Sequence, residues 1–279
     1  MTTLDPLPPR GDASAALSLT PRAVHMAQPL RWLLLGWCDV WRTPLWSLAH
    51  GLVLALFGAA LLVVAHARFW LLAGAFSGFL VVAPVLATSL YAISRAYETG
   101  QRVNFALVWR TWRIQRSPGS RACLRFGLLL ALAGTGWVLT SAALITLFAP
   151  IPVRTPLDFL RHVVLMPDHF LFEAWLALGA VMAAPIFASS VLAMPLLLDR
   201  SCPVWVAVLT SWRTVLANPA ALALWAALIM TLVMLGFATA LVGLVLVVPV
   251  LGHASWHAYR DLVDASQLPK RTEELLEAA

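Results

Sequence analysis

Two histidines, His253 and His257, stand four residues apart in the apolar stretch 240–258, so both project from one face of a helix. Paired imidazoles can ligate haem or a metal ion, and a histidine titrates near neutrality. His50, at the start of the first apolar stretch, lies at a similar depth, but no second pair of histidines stands on another stretch to complete a ligand set. The pair therefore reads as two interfacial histidines hydrogen-bonded to neighbours such as Asp261 or to backbone carbonyls, with metal or haem ligation the lesser alternative.

Other chemistry is scarcer still. No Gly-x-Ser-x-Gly, His-Glu-x-x-His or phosphate-cradling glycine loop occurs. Ser189 and Ser190 fall within an apolar stretch near Pro185, where small polar residues more often serve helix contact than catalysis. Cys38, Cys123 and Cys202 stand apart without a Cys-x-x-Cys pair, which points to free, structural thiols on a reducing side. No acidic residue or lysine lies inside an apolar stretch, Glu173 coming closest at an outer edge. Proton and ion pathways need such buried charges, so a proton-coupled transporter or pump is not expected. The reading is a protein without catalytic residues, cofactor or metal, and not an enzyme.

The elements that would position these residues follow from composition. Of 279 residues, 61% are hydrophobic and 11% charged, against about 25% charge in a soluble domain. Apolar residues come in blocks of roughly 20, the length that crosses about 30 Å of hydrocarbon. Six spans are expected, over about 45–65, 70–93, 124–149, 173–198, 220–238 and 240–258, the last two separated by barely a turn. Residues 1–28, rich in Pro and small polar residues, read as a disordered cytoplasmic tail; 29–264 form the membrane domain and 265–279 a charged cytoplasmic tail.

A net charge of +6 could suggest nucleic acid, but the basic residues lie between or beside the apolar blocks, where a membrane protein needs them, so no nucleic-acid role is expected. Of 19 Lys and Arg, only Arg68, Arg154 and Arg161 fall on one side of the six spans. The positive-inside rule then puts both termini in the cytoplasm.

Three segments ahead of span pairs repeat a pattern. Leu30, Leu33, Leu34, Trp37 and Trp41 match Trp205, Val208, Leu209, Trp212 and Leu216 at helical spacing, and Phe105, Val108, Trp109 and Trp112 repeat a shorter version. Trp-Arg-Thr stands at 41–43, 109–111 and 212–214; Pro84 precedes Tyr91 and Arg95 as Pro249 precedes Trp256 and Arg260. The expected fold is all-α: three helical hairpins, each preceded by an amphipathic interfacial helix. The prolines Pro84, Pro185, Pro195 and Pro249 suggest kinked helices around a central cleft. Trp37, Trp109, Arg110, Trp112, Arg113, Arg116, Trp212, His253, Trp256 and His257 form the candidate surface for the lipid bilayer, its anionic headgroups, or a membrane protein complex.

Leu197-Leu198-Asp199-Arg200, Val215-Leu216-Ala217-Asn218-Pro219 and Gly-His-Ala-Ser-Trp-His-Ala-Tyr-Arg-Asp-Leu at 252–262, with Gly36-Trp37 and Asp39, resemble a bacterial integral membrane family, domain of unknown function 2189, over about residues 29–264. The resemblance implies a bacterial inner-membrane protein of unassigned function, in a family whose members sometimes carry the label of a cytochrome c oxidase subunit. A catalytic oxidase subunit needs deep histidines or a paired-cysteine copper site, and the chain has neither, so that label reduces to a cofactor-free accessory subunit. The leading expectation is a non-enzymatic accessory, assembly or scaffolding protein binding membrane partners; the alternative is a lipid or small-molecule transporter.

Overall fold

The computed structural model describes residues 19–65, 87–116, 121–166 and 170–271. Among these every regular element is helical, and strand-like pairing is limited to two isolated bridges, Pro21 with Val263 and Arg200 with Lys270. In chain order the helices are α1 Gln28–Arg42, α2 Pro44–Ala65, α3 87–98, α4 Phe105–Arg116, α5 Arg121–Phe148, α6 Leu171–Ser190, α7 Ala193–Asp199, α8 Val204–Ala217, α9 Pro219–Ala238 and α10 Leu244–Leu262, with a short helical segment over Pro156–Val164 between α5 and α6.

Four helices among the described residues are long and apolar enough to cross a membrane: Pro44–Val63, Ala122–Phe148, Leu171–Asp199 and Pro219–Ala238. They coincide with four of the six expected spans. The expected span 70–93 lies outside the described residues up to 86, and its remainder opens α3. The expected span 240–258 becomes α10, whose second half carries His253, Ser255, His257, Arg260 and Asp261 and is packed inside the protein against α1 and α2.

Proline sets the helix boundaries. Pro44 and Pro219 occupy the first position of α2 and α9, where a missing N–H costs nothing. Pro195 cannot donate to the Val191 carbonyl, and the helix breaks between α6 and α7. The Leu192 amide at that break donates instead to Ser211 Oγ of α8 at 3.2 Å.

α1 and α8, expected from the sequence to be interfacial, turn the expected apolar stripe outward. On α1, Leu30, Leu34, Trp37 and Trp41 are exposed while Trp32, Gly36, Asp39 and Val40 are buried. On α8, Trp205, Trp212 and Leu216 are exposed while Val206, Ala207, Thr210, Ser211 and Thr214 are buried. Lipid tails are as apolar as leucine, so helix association in a membrane favours small residues that allow close backbone approach over large apolar ones. Gly36 shows this: a Cβ there would lie 2.6 Å from the Val250 carbonyl oxygen of α10. Gly51 of α2 approaches the Val245 backbone still more closely.

The tails depart from expectation where they are described. Leu19 is buried, the Arg22 amide donates to the Leu262 carbonyl at 2.8 Å, and Val24 N donates to Asn218 Oδ1 at 2.9 Å. Residues 19–28 are thus packed on the ends of α9 and α10, not a free tail; 1–18 lie outside the described residues. Likewise Ala265, Leu268 and Arg271 are buried, Arg200 donates to the Leu268 carbonyl at 2.8 Å, and Arg271 donates to the Leu197 carbonyl. Only 272–279 of the expected charged tail fall outside the description.

Candidate functional site

α1, α2, α3 and α10 meet around a buried polar cluster. Asp39, 2% exposed, accepts from Ser94 Oγ at 2.7 Å and lies 2.8 Å from His257 Nε2. The Ser94 hydroxyl also contacts His253 Nδ1 at 2.8 Å, and His253 Nε2 contacts Ser47 Oγ at 3.0 Å. Burial works against ionisation of Asp39, but hydrogen bonds from His257 and Ser94 and the nearby imidazoles outweigh it and hold the carboxyl below its ordinary value. Ser47, Ser94 and His253 are wholly buried, and the cluster's geometry ties four helices together.

A second polar group sits beside it. Asp199, at the end of α7, accepts from Tyr259 Oη at 2.9 Å and Arg200 Nε at 3.0 Å, and pairs with Arg95 of α3 at 3.6 Å. Asp261 accepts from Gln28 Nε2 at 2.6 Å and Trp32 Nε1 at 2.8 Å, so it serves α1 and not the histidines for which the sequence suggested it. Among the described residues, no three His, Cys, Asp or Glu gather as a metal site.

The larger feature is a cavity of about 710 Å³ between α3, α5, α6, α9 and α10, within the roughly 300–1,000 Å³ of small-molecule sites. Among the described residues its walls are mostly apolar, with Met182 and Phe187, and carry no charged residue; polar atoms come from Tyr91, Ser190, Ser255 and the indoles of Trp137 and Trp225. Tyr91 and Ser255 stand about two turns, ~10 Å, before the ends of α3 and α10. A second cavity of about 410 Å³ adjoins it, sharing Ala87, Tyr91, Ile229 and Ser255 and reaching His50, Leu54 and Leu90.

The candidate surface residues divide. Trp37, Trp109 and Trp212 are exposed; Trp37 packs edge-on against Trp41, Trp109 stacks on Phe105, and Trp212 Nε1 donates to Ser189 Oγ at 2.9 Å. Arg110 is also exposed. The side chains of Trp112, Arg113 and Arg116 lie outside the described ones. His253 and Trp256 correct the expectation: at 0% and 1% exposure they are inside the bundle and offer no surface, and His257 is turned inward to Asp39. Sequence reasoning also passed over Asp39 as a site residue. The one signal for it was a carboxylate among Leu, Trp and Cys on a short helix, where a solvated face would have carried more charge.

The residues that carried the family resemblance occupy these interhelical contacts: Gly36 against Ala254, Asp39 on His257, Asp199 on Tyr259, and Asn218 on the N-terminal segment. A family model described as a predicted integral membrane protein (DUF2189) matches residues 71–199, a narrower stretch than the 29–264 expected from the motifs. No curated protein and no solved structure matches the chain.

Proposed function

We propose that this integral membrane protein, which belongs over residues 71–199 to the DUF2189 family, is a non-enzymatic binding protein that holds an apolar molecule in its intramembrane cavity. The carrying observation is the cavity of about 710 Å³ whose walls, among the described residues, are uncharged and mostly apolar. A charged ligand would lose its hydration there without a counter-ion, whereas an acyl chain would not. In this reading the chain crosses the inner membrane six times as three hairpins with both termini cytoplasmic, so the cavity opens within the bilayer and is loaded from it. This is the binding half of the lipid or small-molecule transporter alternative.

The test is native mass spectrometry of protein purified in mild detergent. Retained uncharged lipid, lost when Ala183 in the cavity wall is changed to Trp, supports the reading; a wild-type protein free of lipid overturns it. Reporter fusions at 110, 160, 205 and 270 test the topology, and periplasmic activity at 110 or 205 would defeat it.

A second reading, an accessory or scaffolding role, draws on the exposed aromatic faces Trp37–Trp41 and Phe105–Trp109, because aromatic residues are enriched where proteins dock. A stoichiometric membrane protein that copurifies, and is lost on changing Trp37 and Trp109 to Ala, would favour it.

A further inference from the structure

Residues 264–271 form a strap that leaves α10 and runs onto the end of α7 and the start of α5. The Ser201 amide donates to the Pro269 carbonyl at 3.0 Å, Arg200 donates to the Leu268 carbonyl at 2.8 Å, and Arg200 and Lys270 face each other in an isolated bridge. Ala265 and Leu268 are buried in the apolar cluster that also holds Tyr91, Cys123 and Leu197. Arg271, 8% exposed, donates to the Leu197 carbonyl of α7 and, at 3.1 Å, to Cys123 Sγ of α5. The two helices that grip the strap continue into the walls of the large cavity. On α7, Met194 lines it about one turn from Leu197; on α5, Leu130 lines it about two turns, ~10 Å, beyond Cys123. Ser190 and Val191, at the break that Pro195 leaves between α6 and α7, line it too.

We propose that the strap is a gate. Docked, it closes the end of the cavity between α5 and α7; released, with Arg271 withdrawn, it gives the cavity a second opening, to water, besides the one within the bilayer. The strap is suited to reversible release because it lies outside the helices and is held by a few hydrogen bonds, and such segments open locally at far lower cost than the core beneath them. The guanidinium at its tip regains its hydration on leaving, which offsets the bonds it gives up. Since α7 carries both the anchor at Leu197 and the wall residue Met194, undocking the strap also frees that part of the wall to move about the Pro195 break. The inference rests on the binding reading given above and adds control of access to the same cavity.

The experiment uses the full chain in nanodiscs with Cys38→Ser, Cys202→Ser and Ser190→Cys, and a small charged methanethiosulfonate that stays out of lipid. Native Cys123, 2% exposed beneath Arg271, reports release of the strap, and residue 190 reports entry of water into the cavity; mass spectrometry of the two peptides separates them. Adding Arg271→Ala or Leu268→Asp should speed labelling at both positions at least about tenfold, as the loss of one charged or well-buried anchor implies. Facing residues of a bridge stand about 4.5–5.5 Å apart at Cα, within the span of a disulfide, so Arg200→Cys with Lys270→Cys locks the strap. Oxidising that pair should slow labelling at both positions, and reduction should restore it. Faster labelling at Cys123 alone would overturn the gate, because the strap would then cover only its own anchor. So would unchanged rates at both positions, or a lock that leaves residue 190 as reactive as before. Should both release variants unfold, the lock alone decides. Water access is read without any ligand, so a failed gate leaves the retained lipid of the binding test standing.

Discussion

The imidazole of His257 and the carboxylate of Asp39 meet at 2.8 Å although 218 residues separate them in the chain. Their contact closes α1 onto α10, and the Asp39 oxygen that receives His257 also receives Ser94 of α3. One carboxylate thus joins three segments remote in sequence. Changing Asp39 to Ala leaves both donors buried without their acceptor and should cost about 3 kcal/mol. Asp39→Asn, which keeps an acceptor oxygen, should cost less. Thermal unfolding in detergent measures both, and an Ala variant that melts with wild type would show the cluster to be idle.

The same carboxylate sets an acid limit. Its folded pKa is depressed, so its stabilisation is present above the unfolded carboxylate value of about 4 and is lost as pH falls through the folded value. The melting temperature should carry the full contribution of Asp39, unchanging with pH, between pH 7 and about 5 and should lose it below about 4. Asp39→Asn should abolish that part of the decline, so wild-type and variant melting curves ought to converge in acid.

Close helix crossing at Gly51 should make it intolerant. A Cβ there runs into the Val245 backbone of α10, which cannot yield as a side-chain tip could, whereas a Cβ at Gly136 meets nothing within 4 Å. Gly51→Val is expected to abolish recovery of folded protein. Gly136→Ala should be neutral or stabilise by about 0.5–1 kcal/mol through helix propensity. Size-exclusion profiles of the two variants distinguish them.

The tight link between α9 and α10 holds two non-glycine residues in the left-handed region, Ala240 at φ 51° and Leu241 at φ 71°. Ala240 is exposed, so Ala240→Gly should relieve about 1 kcal/mol of strain and raise the melting temperature. Leu241 is buried against Ala55 and Leu244. Leu241→Gly should therefore lose more in packing than it gains.

Arg110, Arg113 and Arg116 together offer on the order of 3 kcal/mol of attraction to an anionic leaflet. Changing all three to Gln leaves Arg95, Arg102, Arg121 and Arg125 to orient the chain, and the variant is expected to insert normally and to retain its copurifying anionic lipid. Loss of that lipid with insertion preserved would instead give the connector a recruiting role.

By itself the sequence determined the membrane character, because blocks of about 20 apolar residues have no other solvent, and it placed α2, α5, α6 with α7, and α9 within a few residues, because prolines and arginines punctuate them. Helical periodicity also found the helices α1 and α8. It could not say which of their faces meets the protein. In water the Leu30, Leu34, Trp37 stripe would turn to a core; in lipid nothing drives it inward, and Gly36 and Asp39 face α10 instead. For the same reason Trp256 and His253, offered as surface, are interior, and the polar half of α10 is sheltered by α1 and α2. Only the tertiary structure decided that Asp39 meets His257 and Ser94, and that Tyr259 of α10 meets Asp199 of α7. Hydrogen-bond direction depends on which atoms are adjacent across helices far apart in the chain, and periodicity along one helix carries no record of that.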